Sequence, residues 1–200
     1  TEDKIFVTGN TIVDAVCQNL EISKRRINAL SGLGVTDGGY CLATVHRQEN
    51  VDNEERFRSI LKGLEMVEEK FGLPVIYPIH PRARKRMKEF GISVHGLRLT
   101  EPLDYLRFLQ LESRAKLVLT DSGGVQEETC ILRVPCVTLR YNTERPETID
   151  VGSNMLAGTS PEEILEKTEY MLGIKRDWAN PFGDGKAGER IIQILTDRFD

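Results

Sequence analysis

The sequence predicts an α/β fold built on a doubly wound, parallel sheet of the Rossmann-like type. Short runs rich in apolar and β-branched residues alternate with longer segments in which apolar residues recur at helical spacing. The apolar runs are continuous, which is typical of strands that helices cover on both faces of the sheet. Ligands of such open sheets bind beyond the carboxyl ends of the strands, so functional residues are expected there.

Seven runs are candidate strands because each is short, apolar and bounded by turn-forming or polar residues. In chain order they are KIFVTG, YCLATVH, PVIYPIH, LRLTEP, KLVLTDS, PCVTLRY and NMLAGT. The helices expected between them cover residues 53–71, 81–90 and 103–115, a segment beginning near Gly123, a segment from 161 to about 170, and residues 186–199. Gly72 and Pro74 mark the end of the first of these helices, and Ser160 and Glu163 form a capping box.

Length and composition favour one globular domain with a buried core. The chain has 200 residues, of which 40% are hydrophobic and 29% are charged. A formal net charge of −4 opposes bulk affinity for nucleic acid. No apolar run is long enough to span a membrane and no signal peptide is evident, so a cytoplasmic protein without a membrane partner is expected. The four cysteines lack zinc-binding spacing and are interpreted as reduced core residues.

The loop TDGGY divides the chain into two unequal parts. Residues 1–37 are expected to be an N-terminal connector, a strand and a helix packed on the domain, and residues 38–200 the Rossmann-like domain itself. The chain begins at Thr1, without methionine, within a candidate strand. It is therefore expected to be a piece of a longer protein.

The stretch LVLTDSGGVQEET places a strand directly before a helix. The amides of Gly123 and Gly124 are expected at the helix N-terminus, where unpaired N–H groups and the helix dipole favour an anion. Ser122 adds a hydroxyl donor, and Glu127 or Glu128 lies about one turn further on, where a carboxylate suits a ribose diol. These features predict a nucleotide diphosphate site. The alternative is a tight turn with Ser122 as an ordinary N-cap.

Two histidines end neighbouring strand candidates and are followed by arginines. His46 precedes Arg47, and His80 is followed by Arg82. Imidazole and guanidinium groups at strand ends can neutralise phosphate charge, although a lone histidine is more often structural. The charged loop RYNTERPET follows another strand, and its Arg145 is interpreted either as part of a surface turn or as a clamp folding back on Ser122.

Taken together, these stretches resemble the non-hydrolysing UDP-N-acetylglucosamine 2-epimerases. Seven segments match in the same order: VTGNTIVDAV, HRQEN, YPIHP, EPLDYLRFL, LTDSGGVQEE, LRYNTERPE and NPFGDGKAGERI. The resemblance implies the C-terminal, UDP-binding half of a GT-B fold. It also implies interconversion of UDP-GlcNAc and UDP-ManNAc by elimination and re-addition of UDP, with neither metal nor other cofactor.

The resemblance assigns roles to individual residues. UDP is expected to contact Leu103, Phe108, Ser122, Gly123, Gly124, Glu128 and Arg145. His46 is the expected catalytic residue, close to the diphosphate, where it would assist UDP departure. Arg47 and His80 match positions of an allosteric UDP-GlcNAc site that some bacterial members have.

Some positions depart from the family's usual pattern, including Gln48, Phe182 and Gly188, but none of these is an assigned site residue. The larger departure is the family's N-terminal domain, with its acid and base carboxylates, which has no counterpart in these residues. The resemblance therefore implies a UDP-binding half that is inactive alone and a homodimer at full length. The alternatives are the donor-binding domain of a GT-B glycosyltransferase, a non-catalytic nucleotide-sugar-binding module and a hydrolysing epimerase.

Overall fold

The protein forms one parallel sheet, and the doubly wound prediction is confirmed. The computed structural model describes residues 4–199. Within this range six strands pair in the order β3-β2-β1-β4-β5-β6, and every pairing is parallel. The strands are β1 Cys41–Thr44, β2 Val75–Pro78, β3 Arg98–Thr100, β4 Leu117–Thr120, β5 Cys136–Thr138 and β6 Asn154–Leu156. The chain winds outward in both directions from β1 and β4, so the strand order reverses between these two.

Helices connect the strands and cover the sheet. They are α1 Thr11–Arg26, α2 Gln48–Val51, α3 Glu54–Phe71, α4 Pro81–Glu89, α5 Tyr105–Arg114, α6 Gly123–Leu132, α7 Pro146–Asp150, α8 Pro161–Leu172 and α9 Ala187–Phe199. All the expected helices are present. The short helices α2 and α7 were not predicted, because four or five residues are too few to show a helical period.

The strand residues divide between two hydrophobic layers. In β1, Cys41 and Ala43 pack in the larger cluster with α3 and α8, whereas Leu42 packs on the opposite face against residues of α5. All three side chains are fully buried. This explains why the strands read as continuous apolar runs in the sequence.

The register of β1 and β4 places the carboxyl ends of the two strands side by side, and predicted site residues follow each end. Thr44 pairs with Thr120, and their hydroxyl groups lie 2.6 Å apart. Because His46 and Ser122 each come two residues later, the sheet delivers them to the same edge. The predicted site therefore lies at the topological switch point.

The first predicted strand is wrong. Residues 4–9, KIFVTG, form no strand, and Ile5 and Val7 are 73% and 96% exposed. A β-branched run forms a strand only where a partner strand satisfies its backbone, and none of the six strands described between residues 4 and 199 pairs with this segment. The predicted connector helix is present as α1, which packs against α5, α6 and α9. The domain boundary at residue 37 stays a prediction, and residues 1–3 and 200 lie outside the described part of the chain.

The four cysteines, all within the described residues, are free as predicted. Cys41, Cys130 and Cys136 are buried. Cys17 is exposed, so its assignment to the core is wrong; α1 lies on the surface and turns this side chain outward. Of the helices between residues 4 and 199, none is both long and apolar enough to cross a membrane.

Candidate functional site

The junction of β4 and α6 has the geometry that the sequence predicts. Ser122 is the N-cap residue of α6, with φ −92° and ψ 128°, and Gly123 and Gly124 are the first two helical residues. The Ser122 hydroxyl makes no capping hydrogen bond to the amides of α6, all of which are described. The side chain of an N-cap residue usually accepts a hydrogen bond from one of these amides. Ser122 thus has the position of an N-cap residue, but its hydroxyl does not act as a cap.

A cavity of about 230 Å³ opens beside this junction. Five of the predicted site residues meet in its wall: His46, His80, Leu103, Phe108 and Ser122. The remaining lining residues are Thr44, Val45, Pro78, Pro102 and Val125. The wall is therefore largely apolar with a few polar groups, which is typical of binding sites for small molecules.

Asp121 holds His46 in place at the mouth of this cavity. The Nδ1 atom of His46 lies 2.9 Å from Oδ1 of Asp121, which is fully buried. A carboxylate accepts hydrogen bonds, so Nδ1 carries the proton and Nε2 is left for a ligand. The His46 side chain remains 42% exposed. His46 is thus oriented by one partner and accessible to another molecule.

Asp121 is a functional residue that the sequence reasoning missed. Its carboxylate accepts hydrogen bonds from the amides of His46 and Arg47, at 3.0 and 2.9 Å, and from the Asn50 side chain at 3.0 Å. These donors compensate for the loss of hydration of a buried carboxylate. The available signal was an acidic residue at the end of β4, inside the TDSGG stretch itself.

His80 stands next to His46 at the end of the neighbouring strand. The two ring centroids are 5.8 Å apart, and the planes are inclined by 47°. His80 is the N-cap of α4, where its Nδ1 accepts a hydrogen bond of 3.2 Å from the Arg82 amide. Its Nε2 therefore carries the proton when the ring is neutral. The structure places His80 in the same cavity as His46, while its allosteric assignment stays a prediction.

A carboxylate already lies against the N-terminus of α6. An alanine Cβ at Gly123 would come within 2.5 Å of Oε1 of Glu144, so the missing side chain makes room for this group. Arg140 donates to Glu144 at 2.6 Å, and Arg47 forms a second ion pair with it. The Arg140 hydrogen bond is the main cause that lowers the pKa of Glu144 to about 2. Two arginines and a helix N-terminus thus form a surrounding that stabilises negative charge.

Arg145 does not reach the cavity beside Ser122. Its Nε lies 2.8 Å from Oε1 of Glu127, and it lines a second, polar cleft of about 680 Å³ that also includes Asn10 and Glu144. Asn10 donates to the same Glu127 oxygen at 3.1 Å. Glu144 stands between this cleft and Gly123, so Arg145 lies on the far side of the helix entrance. Its assignment to the nucleotide stays a prediction.

Glu128 lies deeper than expected for an open ligand site. It is 7% exposed, and Oε1 accepts a hydrogen bond of 2.9 Å from the hydroxyl of Tyr105. Burial is the main cause that raises the pKa of Glu128, and a second carboxyl group, that of Glu112, lies beside it. Tyr105 was not predicted as a site residue because its contact joins two helices that are far apart in sequence.

Across residues 4–199, no cluster of three or more His, Cys, Asp or Glu side chains is arranged to hold a metal ion.

Comparison with known proteins agrees with these features. The family model described as UDP-N-acetylglucosamine 2-epimerase matches residues 1–196. The UDP-N-acetylglucosamine 2-epimerase of Methanocaldococcus jannaschii is 53% identical over 98% of the chain, which covers 55% of that protein.

Solved structures show the same likeness. The crystal structure of the M. jannaschii UDP-GlcNAc 2-epimerase in complex with UDP-GlcNAc and UDP is 52% identical, with a TM-score of 0.89 over 98% of this chain and 56% of that one. The Neisseria meningitidis UDP-GlcNAc 2-epimerase bound to UDP-GlcNAc is 32% identical, with a TM-score of 0.83 over the same shares, 98% and 56%.

The chain spans about half the length of the curated relatives that it matches. The match to the family model nevertheless extends along almost the whole chain. The chain belongs to the UDP-N-acetylglucosamine 2-epimerase family.

Proposed function

We propose that this chain binds UDP and the UDP part of UDP-GlcNAc, and that it supplies the nucleotide-binding half of an enzyme that interconverts UDP-GlcNAc and UDP-ManNAc. The observation that carries this proposal is the alignment of β1 with β4, which places His46 and the N-terminus of α6 at one cavity. Ligand binding at such a switch point is the general behaviour of doubly wound sheets. Membership of the family supports the same activity.

The uracil ring is proposed to enter the apolar cavity. Leu103 and Phe108 line it, and both also pack against the hydrophobic layer beneath. A side chain anchored in the core offers a rigid surface to a flat ring. Glu128, on the helix whose first residues are the two glycines, is the proposed ribose-binding residue.

The diphosphate is proposed to bind at the entrance of α6. The amides of Gly123 and Gly124 and the hydroxyl of Ser122, which caps no amide of α6, are its donors. The Glu144 carboxylate next to Gly123 occupies part of this region. Diphosphate binding therefore requires Glu144 to move aside, which would release Arg47 to pair with phosphate. Arg145, on the same loop as Glu144, would follow that movement toward the nucleotide.

His46 is the proposed catalytic residue of this half. Asp121 accepts the hydrogen bond from Nδ1 and thereby stabilises the ring when it is protonated on both nitrogens, and in that form Nε2 donates its proton to the diphosphate oxygen that leaves carbon 1 of the sugar. Charge develops on UDP as the carbon–oxygen bond breaks, and donors aimed at this charge lower the barrier. When UDP adds back, the same group receives the proton again.

The rest of the active site is proposed to come from a preceding domain of the full-length protein, which would contribute the acid and base acting at carbon 2. We further propose that the full-length protein is a cytoplasmic homodimer. Arg47 and His80 are the candidates for an allosteric UDP-GlcNAc site. The exposed Ile5 and Val7 are consistent with a segment whose packing partner lies outside these 200 residues.

An epimerisation assay tests this proposal. The full-length gene product is expected to convert UDP-GlcNAc to a mixture with UDP-ManNAc, without releasing free sugar, whereas the 200-residue chain alone is expected to show no turnover. Transfer of the sugar to an acceptor would assign a glycosyltransferase instead. Release of ManNAc with UDP would assign a hydrolysing epimerase.

A further inference from the structure

Glu112 is a fully buried carboxyl group without a conventional partner. It lies in the last turn of α5 and has an exposed fraction of 0%. Neither of its carboxyl oxygens receives a hydrogen bond from a donor group in residues 4–199, and no basic side chain there pairs with it. An ionised carboxylate in such a place would lose its hydration without gaining a hydrogen bond or an ion pair, which strongly favours the neutral form.

The neighbour of Glu112 is another carboxyl group, that of Glu128 on α6. The two are within hydrogen-bonding reach, and each acts on the other's titration. Burial, followed by the negative charge of Glu128, raises the pKa of Glu112 well above its ordinary value. Two adjacent buried carboxylates cannot both stay ionised, so they share one proton at neutral pH.

Tyr105 decides which of the two holds the proton. Its hydroxyl donates to Oε1 of Glu128 at 2.9 Å, and a donated hydrogen bond stabilises the ionised form of a carboxyl group. Glu112 has no such donor and is the more deeply buried of the pair. The neutral member is therefore Glu112.

We propose that Glu112 keeps its proton at neutral pH and donates it to the carboxylate of Glu128, making Glu112 a positioning residue for the group that holds the ribose. The ribose role of Glu128 rests on the proposed function, whereas the location of the proton does not. Tyr105 is 41% exposed and Glu112 is fully buried, so the two donors fix Glu128 from the solvent side and from the core side. A ribose hydroxyl then competes with Tyr105 and leaves the Glu112 contact intact.

The titratable groups facing this pair come from three elements. They are Tyr105 on α5, Glu127 on α6 and Cys136 on β5. Burial raises the pKa of the Cys136 thiol to about 12, so it is neutral at pH 7. Glu127 adds negative charge near Glu128 and thereby favours one proton on the pair.

Infrared spectroscopy of the full-length gene product without nucleotide tests the location of the proton. At pH 7 the wild type is expected to show a carbonyl band of a protonated carboxyl group that disappears in Glu112→Gln. It should persist in Glu128→Gln and in the control Glu166→Gln, an exposed glutamate on α8. A band that survives in Glu112→Gln and disappears in Glu128→Gln would overturn the proposal, as would the absence of any Glu112-dependent band.

Calorimetric titration with UDP tests the positioning role. Glu112→Gln keeps an N–H donor toward Glu128 and is expected to bind UDP within about threefold of the wild type, whereas Glu112→Leu is expected to bind about tenfold more weakly. Thermal unfolding of both variants identifies a loss caused by misfolding. Wild-type affinity in a folded Glu112→Leu variant would overturn the positioning role. Absence of UDP binding in the wild type would instead count against the proposed function, while the infrared result would still locate the proton.

Discussion

His46 and Asp121 face each other across the β1–β4 boundary with 2.9 Å between Nδ1 and Oδ1. They are separated by 75 positions in sequence, yet parallel pairing of the two strands brings their ends together. The same carboxylate also binds the amides of His46 and Arg47, so one buried group orients both the ring and the backbone that carries it. Loss of the Asp121 carboxylate is therefore expected to reduce both the stability of the fold and the activity of the site.

Replacement of Asp121 by asparagine should destabilise the fold and impair the site. The new NH₂ group would face the amide donors of His46 or Arg47 and leave at least one partly buried donor unpaired, at a cost of about 1 to 2 kcal/mol. Urea unfolding measures this loss. Epimerisation by the full-length gene product should fall more than its affinity for UDP, because the ring tautomer is disturbed. Unchanged stability in Asp121→Asn would contradict the role assigned to this carboxylate.

Replacement of Ser122 by alanine should weaken UDP binding while leaving the stability of the fold almost unchanged. The hydroxyl does not cap α6, so the free energy of unfolding should change by less than about 0.5 kcal/mol. UDP affinity should nevertheless fall about five- to tenfold through loss of one donor to phosphate. Asn53→Ala is the matched control, because Asn53 caps α3 through a 3.0 Å bond from the Arg56 amide. That variant should lose about 1 kcal/mol of stability and bind UDP normally.

The two glycines of the junction should respond differently to alanine. At Gly123 the new Cβ would lie 2.5 Å from Oε1 of Glu144, so the carboxylate must leave its arginine partners, at an expected cost of about 1 kcal/mol. At Gly124 the nearest atom is 4.0 Å away, and replacing a helical glycine by alanine should be neutral or stabilising by up to about 1 kcal/mol. Thermal unfolding of the pair measures the difference. Equal stability of the two variants would show that Glu144 is not held against Gly123.

Glu144 should contribute stability that depends on pH. Its pKa is lowered from 4.5 to about 2, so its ion pairs stabilise the folded state above pH 4.5 and this contribution is lost as the pH falls from 4.5 toward 2. The effect should be small and weakened by salt, because the side chain is 40% exposed. Unfolding free energies of the wild type and Glu144→Gln should therefore converge across this interval. A difference that is constant between pH 6 and pH 2 would exclude this explanation.

The sequence was informative where local pattern determines structure. Six of the predicted runs contain the six strands of the sheet, and the central strands β1 and β4 are continuous apolar runs because both of their faces are buried. The strand predicted for KIFVTG is wrong although its composition is equally typical of a strand, because composition does not show whether a partner strand is available.

The residues of the candidate site likewise fall into those that local sequence predicts and those that depend on tertiary contacts. His46, Leu103, Phe108 and Ser122 were placed by family resemblance and strand ends, and the structure brings them to one cavity. Asp121, Tyr105 and Glu112 were missed because their importance depends on contacts between distant segments. In the sequence Glu144 is one of several charges of the loop RYNTERPET, and its position against Gly123 follows from how that loop folds.

Nucleotide binding at the β4–α6 junction is tested by calorimetric titration of UDP into the full-length gene product. The wild type is compared with Ser122→Ala and Glu128→Ala, with Glu166→Gln as the control. We predict one saturable site in the wild type and in the control, with clearly weaker binding in both site variants. Wild-type affinity in Ser122→Ala and Glu128→Ala, or no UDP binding by the wild type, would contradict placing the nucleotide at the β4–α6 junction.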